Sequence, residues 1–252
     1  MTACGPARRS TGDDRPVAPG HAPGAATLAT VRPGSRRVRP SRPPPTEPSP
    51  RRWAMPGEPV VGRTRQIIFD EATRLFGAQG YAGTTMRDIA TAVGLLPGSL
   101  YTHIQGKENL LLEIVESGID RFLAIADGVA RSGAGPDQKL RALIKDHVGV
   151  VAQNPERTLV VFHQWRYLTG EARERVVEKR SRYEDAFRKI MNQGRRSGVF
   201  APGLDLKVSV LAVLGALNWT AEWYRPDGPD TVAEIGERLA DTLMSGLLTR
   251  AS

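Results

Sequence analysis

The sequence predicts an all-α protein of about nine helices. Three observations carry that reading. From Gly62 onward apolar residues recur three and four apart, as in Ile67, Ile68, Ala72, Leu75 and Phe76, the period of a helix with one buried face. The β-branched residues are scattered and never alternate over a sustained run, so no strand is predicted. Glycines and prolines fall in small groups separated by helix-length stretches, where chain breaks belong.

The first helix weakens at Gly77 and Gly80, and residues 80–83 read as a loop. Thr84 or Thr85 then caps a short helix over 86–93, because a threonine oxygen accepts from the free N–H groups of a first turn. Gly94 ends it. Pro97 suits the first turn of another short helix, to about His103. Gln105-Gly106 breaks the chain, and Lys107-Glu108 opens a long helix toward Ala130. Gly133, Gly135 and Pro136 punctuate, and Asp137 is the expected cap of a helix over 138–153. Asn154-Pro155 starts the next, through Tyr167. The stretch 171–196 is long and highly charged, with Val176, Val177, Tyr183, Phe187 and Ile190 on one face. Ser197-Gly198 and Pro202-Gly203 lead to an apolar helix from Asp205 to about Tyr224. A turn at 225–229 precedes the last helix, from Thr231 to Leu248.

Composition narrows the classes further. At 252 residues, 40% hydrophobic and 25% charged, the chain can enclose a core. The net charge is +8, but residues 1–54 hold ten arginines against three acids, while the rest holds 25 basic against 24 acidic residues. The basicity therefore belongs to a tail, and global charge does not name a partner for the body. Residues 1–59 also hold 13 of the 19 prolines and only one aromatic, Trp53. Such a segment buries too little apolar surface to offset its ordering entropy, so a disordered Pro/Arg-rich tail is expected. It is either a basic arm that adds non-specific DNA affinity or a segment outside the working protein, with Met55 as the real start. The lone cysteine, Cys4, excludes an intrachain disulfide and a thiolate metal cluster, and fits a reducing compartment. The first 20 residues lack the apolar core of a secretory signal. The longest apolar run, 208–217, is far short of the roughly 20 residues a membrane span needs. A cytoplasmic protein with no metal, no cofactor and no membrane partner is expected.

The informative segment is 84–104, TTMRDIATAVGLLPGSLYTHI. Ala90 is small where two helices approach, Gly94 can take the positive φ of a tight turn, and Leu100 anchors the second helix. Ile89 and Val93 fill the space between. This is helix-turn-helix logic, in which the second helix offers its N-terminal half to the DNA major groove. Pro97, Gly98, Ser99, Tyr101, Thr102 and His103 on or beside that helix are the expected base-edge and backbone contacts. Thr84, Thr85 and Arg87 on the preceding helix, and Lys107 at the start of the following one, are the expected phosphate contacts. Tyr101 as packing, and His103 and Ser99 as plain surface residues, are the simpler alternatives.

Residues 63–115 resemble the DNA-binding domain of the TetR family of bacterial repressors. The stretches Thr85-Met86-Arg87-Asp88-Ile89-Ala90, Gly94-Leu95, Gly98-Ser99-Leu100-Tyr101 and Lys107-Glu108-Asn109-Leu110-Leu111 carry the resemblance. The chain departs at Leu96-Pro97, where many members have a serine cap and a basic residue. The resemblance implies a three-helix DNA-binding domain over 60–106 and a helical ligand-binding and dimerisation domain over 107–252.

Val210, Val213, Leu214 and Leu217 form one apolar stripe, and Val232, Ile235, Leu239, Leu243 and Leu247 another. Packed against a second copy, the last two helices would make a four-helix homodimer interface; the alternative is intrachain core. The middle of the body is rich in large side chains, with Phe162, Trp165, Tyr183, Phe187, Trp219 and Trp223 as candidate ligand contacts. Arg166, also a candidate ligand contact, lies near Arg173, Arg175, Arg180 and Arg182 in sequence, and an aromatic-lined cavity with arginines at its mouth would suit a long apolar ligand with an anionic head. Ordinary core aromatics beside a solvated charged helix is the alternative. The segments 162–168 and 218–226 resemble TetR-family regulators of fatty-acid and steroid catabolism, which implies an acyl-CoA effector that releases the repressor from double-stranded operator DNA. A drug or other apolar metabolite is the second effector class, and a non-specific nucleic-acid binder a third reading. An enzyme is not expected: no nucleophile elbow, phosphate-binding glycine loop or His-Glu metal helix is present, and His147 and His163 are isolated.

Overall fold

Nine α-helices and one 3₁₀ turn account for most of the described residues, 60–248, in a computed structural model of the protein. The tail over 1–59 lies outside the described residues. Helix α1 (Val60–Gly83) buries Ile68, Ala72, Leu75 and Phe76 on one face. The expected loop at 80–83 is instead a last helical turn set off by a kink, where Gly80 adopts φ 75°, ψ 160°. Then come α2 (Met86–Val93) and α3 (Pro97–Leu100). The latter is a single turn, shorter than expected. The N–H groups of His103 and Ile104 both turn back to the Leu100 carbonyl, at 3.0 and 3.2 Å, and close the helix there.

The long α4 (Lys107–Arg131) runs through the middle of the molecule and buries eleven of its residues, from Leu110 to Val129. Helix α5 (Pro136–Gln153) is capped by Gly135 rather than Asp137: Pro136 fixes the first helical position, and Asp137 falls inside the first turn. There its charge still favours the helix N-terminus. Helix α6 (Pro155–His163) is capped by Asn154, whose side chain accepts from Arg157 N at 2.8 Å. The expected continuation to Tyr167 is a 3₁₀ turn (Gln164–Tyr167). Helix α7 (Gly170–Arg196) lies beside α4, and α8 (Leu206–Trp223) starts at the Asp205 cap. Helix α9 (Val232–Ser245) starts with a Thr231–Glu234 capping box and packs on α5.

One buried cluster runs continuously from Ile68 in α1 to Leu247 after α9. Gly118 sets the spacing of α4 and α6, because a side chain there would press into Val161. Arg141 pairs with Glu237 at 2.9 Å and with Asp241 at 2.7 Å across α5 and α9. These charges are well exposed, so the buried apolar contacts carry the packing. A single antiparallel bridge, Phe200 to Leu248, is the only β pairing among the described residues.

The apolar stripe expected on α8 is corrected. Val210, Val213 and Leu217 are buried within this chain, and Leu214 lines a cavity between the helices. The apolar residues left outside are Val208, Leu211, Trp219 and Trp223, exposed by 60, 52, 64 and 43%. Helix α8 is apolar on both faces, so its period alone could not say which face turns inward. On α9, Ile235 is buried and Val232, Leu239 and Leu243 are half-buried; Leu247, just past its end, is buried as well.

Candidate nucleic-acid interface and ligand cavity

The turn between α2 and α3 is built from local chemistry. Thr85 caps α2: its oxygen accepts from Asp88 N at 3.2 Å, while the Asp88 carboxylate accepts from Thr85 N at 2.8 Å and from the Thr85 hydroxyl at 2.7 Å. These bonds hold the Asp88 carboxyl below its ordinary pKa, the hydroxyl bond contributing most. Gly94 closes α2 at φ 73°, ψ 28°, the left-handed conformation that favours glycine. Leu95 N then bonds back to Ala90 O at 2.9 Å. Ile89, Ala90 and Leu100 are fully buried between the two helices.

The expected contact residues divide into two groups. Arg87, Pro97, Gly98, Ser99, Tyr101 and Thr102 are exposed, and Tyr101 is 57% so, which argues against a packing role. Leu96 was not foreseen; at 76% it is the most exposed large apolar residue described. Its place just before α3 makes it available to a thymine methyl group. His103 is half-buried, and its Nδ1 is enclosed with no hydrogen-bond partner among the described residues.

Thr84 and Lys107 belong to the other group. Thr84 is fully buried, and its hydroxyl donates to Gly80 O at 2.9 Å and reaches Leu75 O at 3.3 Å. It braces the head and cannot touch a phosphate. The Lys107 ammonium donates to the carbonyls of Tyr81 and Thr84, both at 2.7 Å, and sits 4.2 Å from the Tyr81 ring centre. That lysine therefore clamps α4 to the end of α1. Thr85 is exposed, but its hydroxyl is engaged by Asp88.

From the clamp a chain of contacts leads into the body. Tyr81 N donates to the Gln164 side-chain oxygen at 3.0 Å, and the Tyr81 and Tyr167 rings lie 5.3 Å apart. Gln164 and Tyr167 bound the 3₁₀ turn, and Trp165 between them lines a cavity of about 230 Å³. Ile119, Phe122, His147, Val161, Phe162, Val177, Tyr183, Leu214 and Asn218 complete its largely apolar wall, with Arg180, Glu184 and Ser181 from α7. The Arg180 guanidinium lies 4.9 Å from the Trp165 ring centre. Burial, then the nearby Arg166 charge, lower its pKa from the ordinary arginine value. An anion beside Arg180 would relieve that cost.

Of the expected ligand contacts, the structure brings Phe162, Trp165 and Tyr183 into the wall and leaves four outside. Phe187 is fully buried behind Tyr183, ring to ring at 5.3 Å. Trp219 and Trp223 are on the outer face of α8, and Arg166 is exposed. Arg180, grouped in the sequence with four other arginines, is the one in the cavity wall. His147, isolated in the sequence, is fully buried in this wall, its Nδ1 3.0 Å from Tyr183 Oη. Burial drives the imidazole pKa down to about 3, so it is neutral. No group of three or more His, Cys, Asp or Glu side chains fit to hold a metal occurs among the described residues. No helix among them is long and apolar enough to cross a membrane.

Two family profiles match this architecture. Residues 68–114 match bacterial regulatory proteins of the tetR family, and residues 133–247 match the tetracyclin repressor-like C-terminal domain. The chain belongs to the TetR family. This TetR-family regulator is 27% identical over 189 residues to the HTH-type transcriptional repressor KstR2 of Mycobacterium tuberculosis, covering 74% of this chain and 94% of that protein. It is 22% identical to the fatty acid metabolism regulator protein of Bacillus subtilis, over 71% of this chain and 93% of the relative. It also resembles AibR, solved in complex with isovaleryl coenzyme A and operator DNA. There the identity is 30%, the TM-score 0.64, and the coverage 73% of this chain and 98% of the other. As a member of this family the protein is a DNA-binding transcriptional regulator and not an enzyme.

Proposed function

We propose that this regulator is a repressor that grips its operator as a homodimer and releases it when an acyl-CoA thioester enters the body. One observation carries the reading: an aromatic cavity with a half-buried arginine in its wall shares the 3₁₀ turn, Gln164–Tyr167, with the contacts that brace the DNA-reading head. A ligand that moves Trp165 also moves Gln164 and Tyr167, and with them Tyr81 and the Lys107 clamp. The ligand needs only to favour the DNA-incompetent arrangement; a hundredfold preference is worth about 2.7 kcal/mol. The exposed positions Arg87, Leu96, Pro97, Gly98, Ser99, Tyr101 and Thr102, with the half-buried His103, are the proposed reading surface. The acyl-CoA class is supported by Arg180 beside an apolar lining and by the names of two relatives, a fatty acid metabolism regulator and AibR with isovaleryl coenzyme A.

A single helix-turn-helix reads few base pairs, and two-fold dimers extend the site. The outer face of α8, with Val208, Leu211, Trp219 and Trp223, and the half-buried Leu239 and Leu243 of α9 are the proposed dimer surface. Trp219→Glu should weaken the dimer by at least a hundredfold, read by analytical ultracentrifugation at micromolar protein. An unchanged sedimentation coefficient would remove this face from consideration.

The central experiment is a fluorescence-anisotropy titration of the full chain against the DNA upstream of its own gene, with and without octanoyl-CoA. Tight binding that octanoyl-CoA weakens supports both parts of the proposal. Tight binding that neither this nor any other acyl-CoA alters keeps the DNA reading and sends the effector search to drugs and other apolar metabolites. Affinity no greater than for random DNA counts against this operator.

A further inference from the structure

Two nitrogens in the cavity wall have no hydrogen-bond partner among the described residues. His147 is fully buried, with ring centres of Phe122, Tyr183 and Phe162 at 4.7, 5.9 and 6.1 Å. Its Nδ1 is bonded to Tyr183 Oη, but its Nε2 is enclosed with no hydrogen-bond partner among the described residues. Trp165 Nε1, in the same wall, is enclosed and unpartnered too. Buried polar groups are almost always paired, and orphaned donors are the rarer kind.

The Tyr183–His147 pair bears on what each nitrogen offers. Burial keeps the Tyr183 phenol protonated, so its O–H is a donor that needs an acceptor. His147 Nδ1, at 3.0 Å, is the partner the structure supplies. With Nδ1 accepting, the imidazole proton sits on Nε2 and the phenol is paired; the other tautomer would leave the Tyr183 O–H without an acceptor among the described residues. The indole nitrogen is a donor in any case. The apolar wall therefore presents two buried donors, one of them in a tryptophan flanked by guanidiniums of Arg180 at 4.9 Å and Arg173 at 5.5 Å.

We propose that the cavity is built for an oxygenated acyl group, one that carries a keto or hydroxyl oxygen beyond its thioester carbonyl. This deepens, and rests on, the acyl-thioester reading above. The thioester carbonyl accepts from Trp165 Nε1, beside the arginines that attract the anionic carrier. The second oxygen accepts from His147 Nε2, with the Phe162 ring that stacks over the imidazole turning aside to admit it. A plain hydrocarbon chain leaves the second donor dry and unpaired. Sites built around a hydrogen bond reject a ligand that lacks it far more sharply than apolar pockets reject a missing methylene.

Isothermal titration calorimetry on the full chain tests this, with octanoyl-CoA, 5-oxooctanoyl-CoA and 7-oxooctanoyl-CoA as probes. At least one oxo compound should bind roughly tenfold tighter than octanoyl-CoA. His147→Phe should bring that preference to within about twofold, whereas Trp165→Phe should weaken all three probes by the same factor. Equal binding of plain and oxo compounds by the unmodified protein overturns the proposal without any variant. Binding of none of the three defeats the acyl-thioester reading itself, and this inference with it. The tautomer is checked separately by ¹⁵N NMR of the imidazole: a proton on Nε2 is expected, and a proton on Nδ1 overturns the donor assignment.

Discussion

The head and the body of this regulator are held by bonds of different reach. In the head the deciding hydrogen bonds close over short stretches of chain: Thr85 with Asp88, Leu95 with Ala90, Thr84 with Leu75. In the body His147 meets Tyr183 across 36 residues, Glu108 meets Thr169 across 61, and Arg141 meets Glu237 across 96. The difference teaches where specificity resides in each. The head is a reading tool whose shape is set almost residue by residue. The cavity exists only once α4, α5, α6, α7 and α8 have come together.

The sharpest way to break this comparison is Leu100→Ala. The side chain is fully buried between α2 and α3, and truncating such a leucine removes about 2–5 kcal/mol. If the head is a local unit, hydrogen exchange should speed up over residues 84–104, and DNA binding should be lost, while α5 and α9 remain protected. Loss of protection throughout the body would mean that head and body unfold as one.

A smaller effect sharpens the body's side. The neutral His147 has a pKa of about 3 when folded and about 6.5 when free. Between those values the unfolded chain binds the proton and the folded chain does not. Stability is therefore full above pH 6.5 and falls as pH drops through this window, at up to about 1.4 kcal/mol per unit. The depressed carboxyls of Asp88, Glu234 and Glu237 act below their free values near 4.5 or less, outside the upper part of the window. Urea unfolding between pH 6.5 and 5 should show the slope in the parent protein and a shallower one in His147→Phe. Equal slopes would show that His147 takes up its proton without unfolding.

The smallest effect expected is that of Thr85→Ala. Removing the cap should cost about 1 kcal/mol, and faster hydrogen exchange should be confined to α2. Spread of that change to α4 would show that the Lys107 clamp transmits the loss, and the head would be less local than its bonds suggest.

Much of the head was legible because its signals lie in adjacent residues. The threonine at the start of α2, the glycine at its end and the buried leucine of α3 each act on neighbours a few positions away. The error there was of the same kind in reverse. Thr84 and Thr85 look alike in sequence, and only the kink at Gly80 turns one inward as a brace while the other caps the helix. Lys107 misled similarly, since its carbonyl partners are more than 20 residues earlier in the chain.

The sequence by itself determined the all-α class, the order of the helices, most of their ends and the reading motif, because periodicity, caps and turn residues act over one or two helical turns. Tertiary structure alone decided which apolar face of α8 is core and which is outer surface. It also decided that Arg180 rather than Arg166 joins the cavity, and that His147 is buried against Tyr183 instead of isolated. The physical reason is that a helix with apolar residues all round, or with an arginine on every side, carries no preferred direction of its own. Its orientation is chosen by the surfaces that other helices, far away in the chain, bring against it.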